Sequence, residues 1–192
     1  MYKKIVYITL MILGEVLILI SAAMIIVNAV QEKEAASAAN TALQVLRQDI
    51  ERAGTSPLRD TAVDIDGKKY IGYLEIPALE ISLPVLNEWS YDNLKMAPCR
   101  YYGSVAENDV VIAAHNYKKY FGAIHQLSLG DTVWFTDVNE GVFCYSVEKI
   151  EILESSGVKK MIESDYDLTL FTCTYGGQQR IAIRCNRCEI YR

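Results

Sequence analysis

The stretch 167–184, DLTLFTCTYGGQQRIAIR, sets the strictest limits on how this 192-residue chain folds. β-Branched, apolar and aromatic residues over 168–172 predict a buried strand, and the two glycines that follow predict a tight turn. Alternating isoleucines over 180–184 predict a second strand with one apolar face. Cys173 therefore lies where the first strand ends, and Arg180 lies where the second strand begins.

A thiol and a guanidinium face the same pocket if these two strands are neighbours. Such a placement puts a nucleophile beside a group that can neutralise an oxyanion. Arg184 lies on the same face of the second strand and is the runner-up for the oxyanion role. A cysteine alone is more often a core residue than a nucleophile, so the inference depends on the joint placement at strand ends.

The sequence contains two histidines that could act as the proton partner of Cys173. His115 follows the apolar, strand-like run 109–114, and functional residues are often carried at the ends of such rigid elements. His125 lies in 121–131, a segment that reads as a short helix or turn. We therefore predict that His115 is the catalytic histidine and that His125 is partly exposed with no special role.

Three blocks occur in a specific order: VIAAHNY at 111–117, LTLFTC at 168–173, and an arginine that opens the next strand. Together they resemble the sortases, the cysteine transpeptidases of Gram-positive cell surfaces. The runs 72–85 and 127–133 are also similar to sortase segments, so the resemblance covers roughly 70–189. It implies a closed, eight-stranded β-barrel.

The resemblance also implies an activity. Cys173 would attack an LPXTG-like C-terminal sorting signal, His115 would protonate the leaving amine, and Arg180 would bind the oxyanion. The resulting thioester would pass to an amine on a peptidoglycan precursor or another protein, without a cofactor. Residues expected to line the substrate groove are Ala113, Ala114, Asn116, Thr172, Thr174 and Tyr175.

The chain departs from some sortase classes. Ala114 stands where the family most often has glycine before the histidine. A DPW-type lid motif and a second, C-terminal hydrophobic span are missing, and 154–167 is too short for the long helix of class B. These features favour a non-pilin class resembling A, D or E. Glu107 and Asp109 are read as part of a solvated loop, so no metal site is predicted.

The run from Ile5 to Val27 predicts an uncleaved, single-pass membrane anchor. As a helix it would be roughly 34 Å long at ~1.5 Å per residue, enough to cross a hydrocarbon core of ~30 Å. Lys3 and Lys4 precede it, which predicts a cytoplasmic N-terminus and an extracellular catalytic domain. Glu15 within the span either contacts a partner helix or is tolerated as one protonated carboxyl.

Three parts are expected: a tip and anchor at 1–30, a helical stalk and linker at 31–69, and the catalytic domain at 70–192. The helix-forming run at 36–50 is partly apolar, which raises the hypothesis that the stalk covers the active site and inhibits it. A turn is expected at Asp66-Gly67 within the linker.

Short strands separated by turns predict a mainly β fold with few helices. The predicted strands are 72–76, 81–85, 109–114, 132–136, 142–153, 167–172 and 180–185. Short helices are predicted at 90–96 and 158–163.

Composition excludes some functions. The formal net charge is -5 without a basic stripe, which argues against nucleic acid as a partner. Five cysteines leave at least one thiol free. For the C-x-x-C pair Cys185 and Cys188, a structural or incidental role is favoured over zinc binding or redox catalysis.

Two alternatives compete with transpeptidation. One is another extracellular cysteine enzyme, either a peptidase or an L,D-transpeptidase-like enzyme. The other is a membrane-anchored barrel that binds a partner and carries an inert thiol.

Overall fold

The computed structural model describes residues 2–53 and 62–188. A 52-residue helix, α1, spans Tyr2–Ala53. The strands are β1 Val63–Ile65, β2 Lys68–Ile76, β3 Ile81–Leu86, β4 Cys99–Tyr102, β5 Val110–Ala113, β6 Thr132–Asp137, β7 Val142–Glu154, β8 Leu168–Cys173 and β9 Gln179–Arg187. The helices α2 and α3 span Tyr91–Leu94 and Val158–Ile162, and short 3₁₀ turns span Pro77–Leu79 and Phe121–Gln126.

Eight of these strands form a closed barrel, as predicted. The strand order is β2-β3-β4-β5-β8-β9-β7-β6, and β2 also pairs with β6, which closes the ring. The β3–β4 and β5–β8 pairs are parallel, and the other neighbours are antiparallel. Closure brings β5, β8 and β9 side by side in one ring.

Two strands were missed by sequence reasoning. β1 forms a hairpin with β2 around the predicted Asp66-Gly67 turn, so residues 62–69 are not a simple linker. The other part of the predicted linker, 58–61, lies outside the described residues. β4 is only four residues long and pairs with β3 through a single residue, Cys99. A strand so short carries no readable alternation.

Buried apolar side chains fill the barrel. They include Leu74, Ile76, Val85, Ile112, Leu168, Leu170 and Ile183, each almost completely inaccessible to solvent. Several of these residues belong to the β-branched and apolar runs that predicted the strands, because such side chains pack well on a pleated surface. This core fixes the positions of β5, β8 and β9, which carry the candidate functional residues.

The second part of α1 is a wall of the barrel unit, which begins at Ala35. The buried residues of this part recur every three to four positions: Ala35, Ala39, Ala42, Leu43, Leu46 and Ile50. Ala42, Leu46 and Ile50 share a cluster with Tyr70 and Leu86. Arg47 donates a hydrogen bond of 2.7 Å to Glu75 on β2. The helix therefore contributes a helical apolar stripe to the fold.

Residues 2–34 form a separate unit. Among the described residues, one helix is long and apolar enough to cross a membrane, with a mean hydropathy of 2.7 in its most apolar window. Its large apolar side chains between Ile5 and Val27 are exposed, as is Glu15. Such a surface is compatible with a hydrocarbon environment, in agreement with the predicted anchor.

The C-x-x-C pair does not act as a unit. Cys188 forms a disulfide with Cys144 on β7, whereas Cys185 is a buried free thiol. The disulfide closes a sequence separation of 44 residues and ties the end of β9 to β7. A structural role for Cys188 follows.

Leu46 tests whether α1 supports the barrel. Its side chain is 0% exposed, whereas the adjacent Val45 is 37% exposed. We expect Leu46→Ala to lower the free energy of unfolding by about 2–5 kcal/mol, because it leaves a cavity. Val45→Ala is the matched control and should change it by less than about 0.5 kcal/mol.

The measurement is denaturant unfolding of the full chain in detergent, followed by tryptophan fluorescence. Both tryptophans, Trp89 and Trp134, lie in the barrel unit. Equal stability of the two variants would show that the helix does not support the barrel.

Candidate active site

Strand pairing brings the three predicted catalytic residues to one end of the barrel. Cys173 is the last residue of β8 and pairs with Arg180 on β9. On its other side β8 pairs with β5, which ends at Ala113. The backbone N–H of Ala114 still donates to the Phe171 carbonyl at 3.1 Å, and His115 follows directly. The thiol, imidazole and guanidinium all line one cleft.

This cleft has a volume of about 270 Å³ and is largely apolar. One wall comes from the segment between β3 and β4 and from neighbouring strands; its residues are Trp89, Tyr91, Leu94, Tyr101 and Phe171. Val158 and Met161 of α3 also line the cleft. An apolar cleft with a few polar groups at one end is typical of a ligand site.

The aromatic wall is held together by edge-to-face contacts that sequence reasoning missed. The ring of Tyr101 lies 5.6 Å from that of Trp89 and 5.2 Å from that of Phe171. Trp89 also contacts Tyr91 at 5.0 Å. The available signal was the density of aromatic residues between 89 and 102, but nothing local indicates which of them face the cleft.

The predicted groove residues divide into two groups. Ala113, Ala114 and Thr172 line the cleft, and the Thr172 hydroxyl donates to the Ala114 carbonyl at 2.8 Å. Asn116, Thr174 and Tyr175 are not among its lining residues in the described chain.

Thr174 and Tyr175 belong to the β8–β9 turn instead. The Thr174 backbone N–H donates to the Gln179 carbonyl at 3.0 Å, which closes the turn. Tyr175 is 88% exposed at its tip. The structure therefore does not bring Thr174 and Tyr175 into the cleft.

Arg180 is oriented by the same turn. Its Nη1 donates to the carbonyls of Gly177, at 2.9 Å, and Gln179, at 3.0 Å. Gly177 has a φ of 74°, a left-handed conformation that favours glycine. A fixed backbone turn therefore directs a half-buried guanidinium toward the cleft that contains the thiol.

The prediction of Arg184 as the alternative oxyanion donor is wrong. It pairs with Thr169, four residues before Cys173, which corresponds to roughly 13 Å along a strand. Its side chain is 2% exposed, and it donates to Glu151 at 2.8 Å, to Thr169 at 2.9 Å and to the Lys160 carbonyl at 2.7 Å. This buried guanidinium links β9 to α3, one wall of the cleft.

His115 is half-buried and stacks on Tyr117, with ring centroids 4.7 Å apart and an angle of 22° between the planes. Burial, and to a lesser extent the positive charge of Lys95, lowers the pKa of His115 below its ordinary value. His125 is exposed, and its Nδ1 lies 3.0 Å from the Gly122 carbonyl oxygen. The structure therefore places His115, and not His125, at the cleft.

Burial distinguishes the three free thiols. Cys99 and Cys185 are buried, and burial raises the pKa of each to about 12. Cys173 is partly exposed in the cleft. Because the thiolate is the nucleophile, Cys173 is the free cysteine best placed to react.

The stalk does not cover the cleft within the described residues. Residues 35–53 pack against the barrel, and none of them is among the residues that line the cleft. The hypothesis that the stalk helix at 36–50 covers the active site is therefore wrong.

A family model described as "Sortase domain" matches residues 74–188, more than half of the chain. The chain belongs to the sortase family. Sortase A of Bacillus anthracis is 30% identical to this sortase in an alignment of 126 residues, and the match covers 57% of this chain and 54% of the relative. The match therefore spans about half the length of that curated relative.

Solved sortases share the fold. Sortase D5 of Clostridium perfringens is 20% identical with a TM-score of 0.66, and the match covers 80% of this chain and 99% of that one. Sortase C of C. perfringens, solved with the C-terminal cell wall sorting motif, is 25% identical with a TM-score of 0.57, covering 78% and 91%. These similarities include more than one sortase class.

Thiol counting tests the cysteine assignment of this sortase. Under native conditions, iodoacetamide should add one group, on Cys173, because Cys99 and Cys185 are buried. Denaturation without reductant should raise the count to three, and reduction to all five. Mass spectrometry gives each count, with Cys173→Ala as the control that takes up none when native. Modification of Cys99 or Cys185 in the native protein would contradict the burial.

The pKa of His115 gives a second test. We expect it to titrate below 6.5, the ordinary value. Between the lowered pKa and 6.5 the unfolded chain binds more protons than the folded chain, so this histidine makes stability fall as the pH drops through that window. NMR titration measures this pKa, and His125→Gln assigns the signal. Lys95→Gln should raise the pKa, whereas titration at or above 6.5 in the wild type would contradict the burial of the ring.

Proposed function

We propose that this protein is a membrane-anchored cysteine transpeptidase that cleaves an LPXTG-like C-terminal sorting signal and transfers the protein to a cell-wall amine. The observation that carries the proposal is the meeting of Cys173, His115 and Arg180 at one apolar cleft. Membership of the sortase family supports the same reaction type.

The first half-reaction is acylation. His115, largely neutral because its pKa is lowered, accepts the proton of the Cys173 thiol, and the thiolate attacks the peptide carbonyl carbon. The N–H groups of Arg180 stabilise the oxyanion that forms. The carbon–nitrogen bond then breaks, His115 gives its proton to the leaving amine, and a thioester remains on Cys173.

The second half-reaction reverses the proton movements. An amine on a peptidoglycan precursor or on another protein attacks the thioester carbonyl, and His115 accepts the proton that the amine loses. The new amide forms as the sulfur leaves, and the proton returns to Cys173. Water replaces the amine in a slower side reaction, which yields a free carboxylate.

The shape and composition of the cleft support a peptide substrate with apolar residues. Its aromatic residues and the apolar residues of α3 offer apolar surface in the cleft that contains Cys173. Leucine and proline of an LPXTG-like signal match such surface. The short α3, five residues long, supports a class resembling A, D or E rather than B.

The location follows from three features. The apolar helix provides the anchor, and the lysines before it favour a cytoplasmic N-terminus and a single pass. The barrel unit, together with the stalk from Ala35, then lies outside the cell as the catalytic domain. The Cys144–Cys188 disulfide supports this orientation, because disulfides persist in oxidising, extracytoplasmic compartments.

The test gives the full chain, in detergent, a quenched LPXTG-type peptide with and without a glycine-based or diamino acid amine. We expect cleavage between Thr and Gly and, with the amine, a ligated product identified by mass. Cys173→Ala should abolish both. His115→Gln should lower kcat/KM by about 10²–10⁴-fold, Arg180→Gln by about 10²–10³-fold, and His125→Gln should leave it unchanged.

Other outcomes identify the competing functions. Cleavage that depends on Cys173 but never gives an amine adduct would indicate a peptidase. An unreactive Cys173 together with uncleaved peptides would indicate a binding barrel. A reactive Cys173 with uncleaved peptides would retain the chemistry and overturn the sorting motif.

A further inference from the structure

The surroundings of His115 include an aromatic residue that does not line the cleft. Tyr117 stacks on the imidazole with ring centroids 4.7 Å apart, and it is absent from the residues that line the cleft in the described chain. The face of the imidazole that is covered by Tyr117 is therefore packed against protein. A nearly parallel ring limits rotation and tilting of the imidazole.

Tyr117 is itself held by a second tyrosine. Its ring lies 5.7 Å from that of Tyr120, which is completely buried. The Tyr120 hydroxyl lies 2.9 Å from the carbonyl oxygen of Ala35 on α1 and also within hydrogen-bond distance of the Met96 carbonyl oxygen. The ring series His115–Tyr117–Tyr120 thus runs from the cleft to the stalk helix.

The backbone of the same loop is tightly wound. The N–H groups of Tyr120 and Gly122 both donate to the Tyr117 carbonyl at 2.9 Å, and the Phe121 N–H donates to the His115 carbonyl at 3.2 Å. A Cβ atom at Gly122 would lie only 2.7 Å from the carbonyl oxygens of Asn116 and Tyr117. The loop can close in this way because residue 122 is glycine, and closure fixes the backbone of both stacked residues.

We propose that Tyr117 is a positioning residue for His115, held in place by Tyr120 and, through the Tyr120 hydroxyl, by the stalk helix. The inference rests on the proposed function, in which His115 moves protons to and from the sulfur and the amine. Proton transfer depends steeply on the placement of the imidazole, so a ring that fixes it contributes to turnover without contacting substrate.

The charged and titratable groups around His115 stay the same when the stack is altered. Lys95 at the end of α2 acts on its pKa, and Cys173 and Arg180 share the cleft with it. A change in the pKa of His115 on substitution of Tyr117 therefore reports a change in the burial or orientation of the imidazole. A substitution that only lowers the global stability would not alter this pKa in the folded protein.

The test compares Tyr117→Leu with Tyr117→Phe in the full chain in detergent. Leucine removes the stacked ring, so water should reach the imidazole and the pKa of His115 should rise toward its ordinary value. We expect kcat to fall about tenfold with KM unchanged, because the imidazole loses its orientation. Phenylalanine keeps the ring and should leave both quantities near those of the wild type.

Two further variants test the role of the Tyr120 hydroxyl and provide a control. Tyr120→Phe keeps its ring but loses the hydroxyl contacts, and should shift the pKa and kcat in the same direction as Tyr117→Leu, by less. Tyr102→Leu is the matched control, because Tyr102 is 46% exposed on β4 and does not line the cleft. It should change neither quantity.

The inference is overturned if Tyr117→Leu leaves both the pKa of His115 and kcat unchanged. It is also overturned if Tyr117→Phe lowers kcat as much as Tyr117→Leu does, because the hydroxyl and not the stack would then matter. If the wild type cleaves no peptide, the proposed function fails, whereas the NMR titration of His115 still decides whether Tyr117 fixes the imidazole.

Discussion

The pairing of β8 with both β5 and β9 is the constraint on which the rest of the site depends. Parallel pairing with β5 sets where His115 leaves the sheet, and antiparallel pairing with β9 sets Arg180 opposite Cys173. A shift of either register by one residue would turn these side chains to the other face of the sheet. The buried residues of β5 and β8 resist such a shift, since it would take Ile112 and Leu170 out of the main core cluster. Core packing therefore maintains the active-site geometry.

Two buried polar side chains support the site through their hydrogen bonds. Arg184 carries its charge in the interior, where it is paired with Glu151 and bonded to backbone carbonyls of α3. A buried charge is tolerated only with such partners, and here the two carbonyl partners belong to α3, which lines part of the cleft. Tyr120 supports the side of the site that contains His115. Its hydroxyl lies within hydrogen-bond distance of the Ala35 carbonyl oxygen on α1 and of the Met96 carbonyl oxygen just after α2. Buried polar groups need hydrogen-bond partners, and these hydrogen bonds fix the segments that shape the cleft.

Seven of the nine described strands and the positions of the three candidate catalytic residues were predictable because their signals are local. Apolar alternation and strand ends placed Cys173, His115 and Arg180 correctly at one pocket. Features that depend on long-range packing were not predictable. The pairing of Cys144 with Cys188, the burial of Arg184 and the aromatic wall each join residues that are distant in sequence. Arg180 and Arg184 look equivalent on one strand face, and only the barrel decides which of them reaches the cleft.

The stalk shows how a pattern with weak amphipathicity becomes part of a fold. Half of its buried positions are alanines, which sequence reasoning cannot distinguish from solvent-exposed helix formers. Ala42, Leu46 and Ile50 share a buried cluster with Tyr70 of β2 and Leu86 of β3. A domain boundary at residue 70, as the sequence alone suggests, would expose the apolar surface around Tyr70, Leu86 and Cys99. The barrel and the stalk from Ala35 onward therefore form the smallest unit in which this surface and the Tyr120 hydroxyl keep their partners.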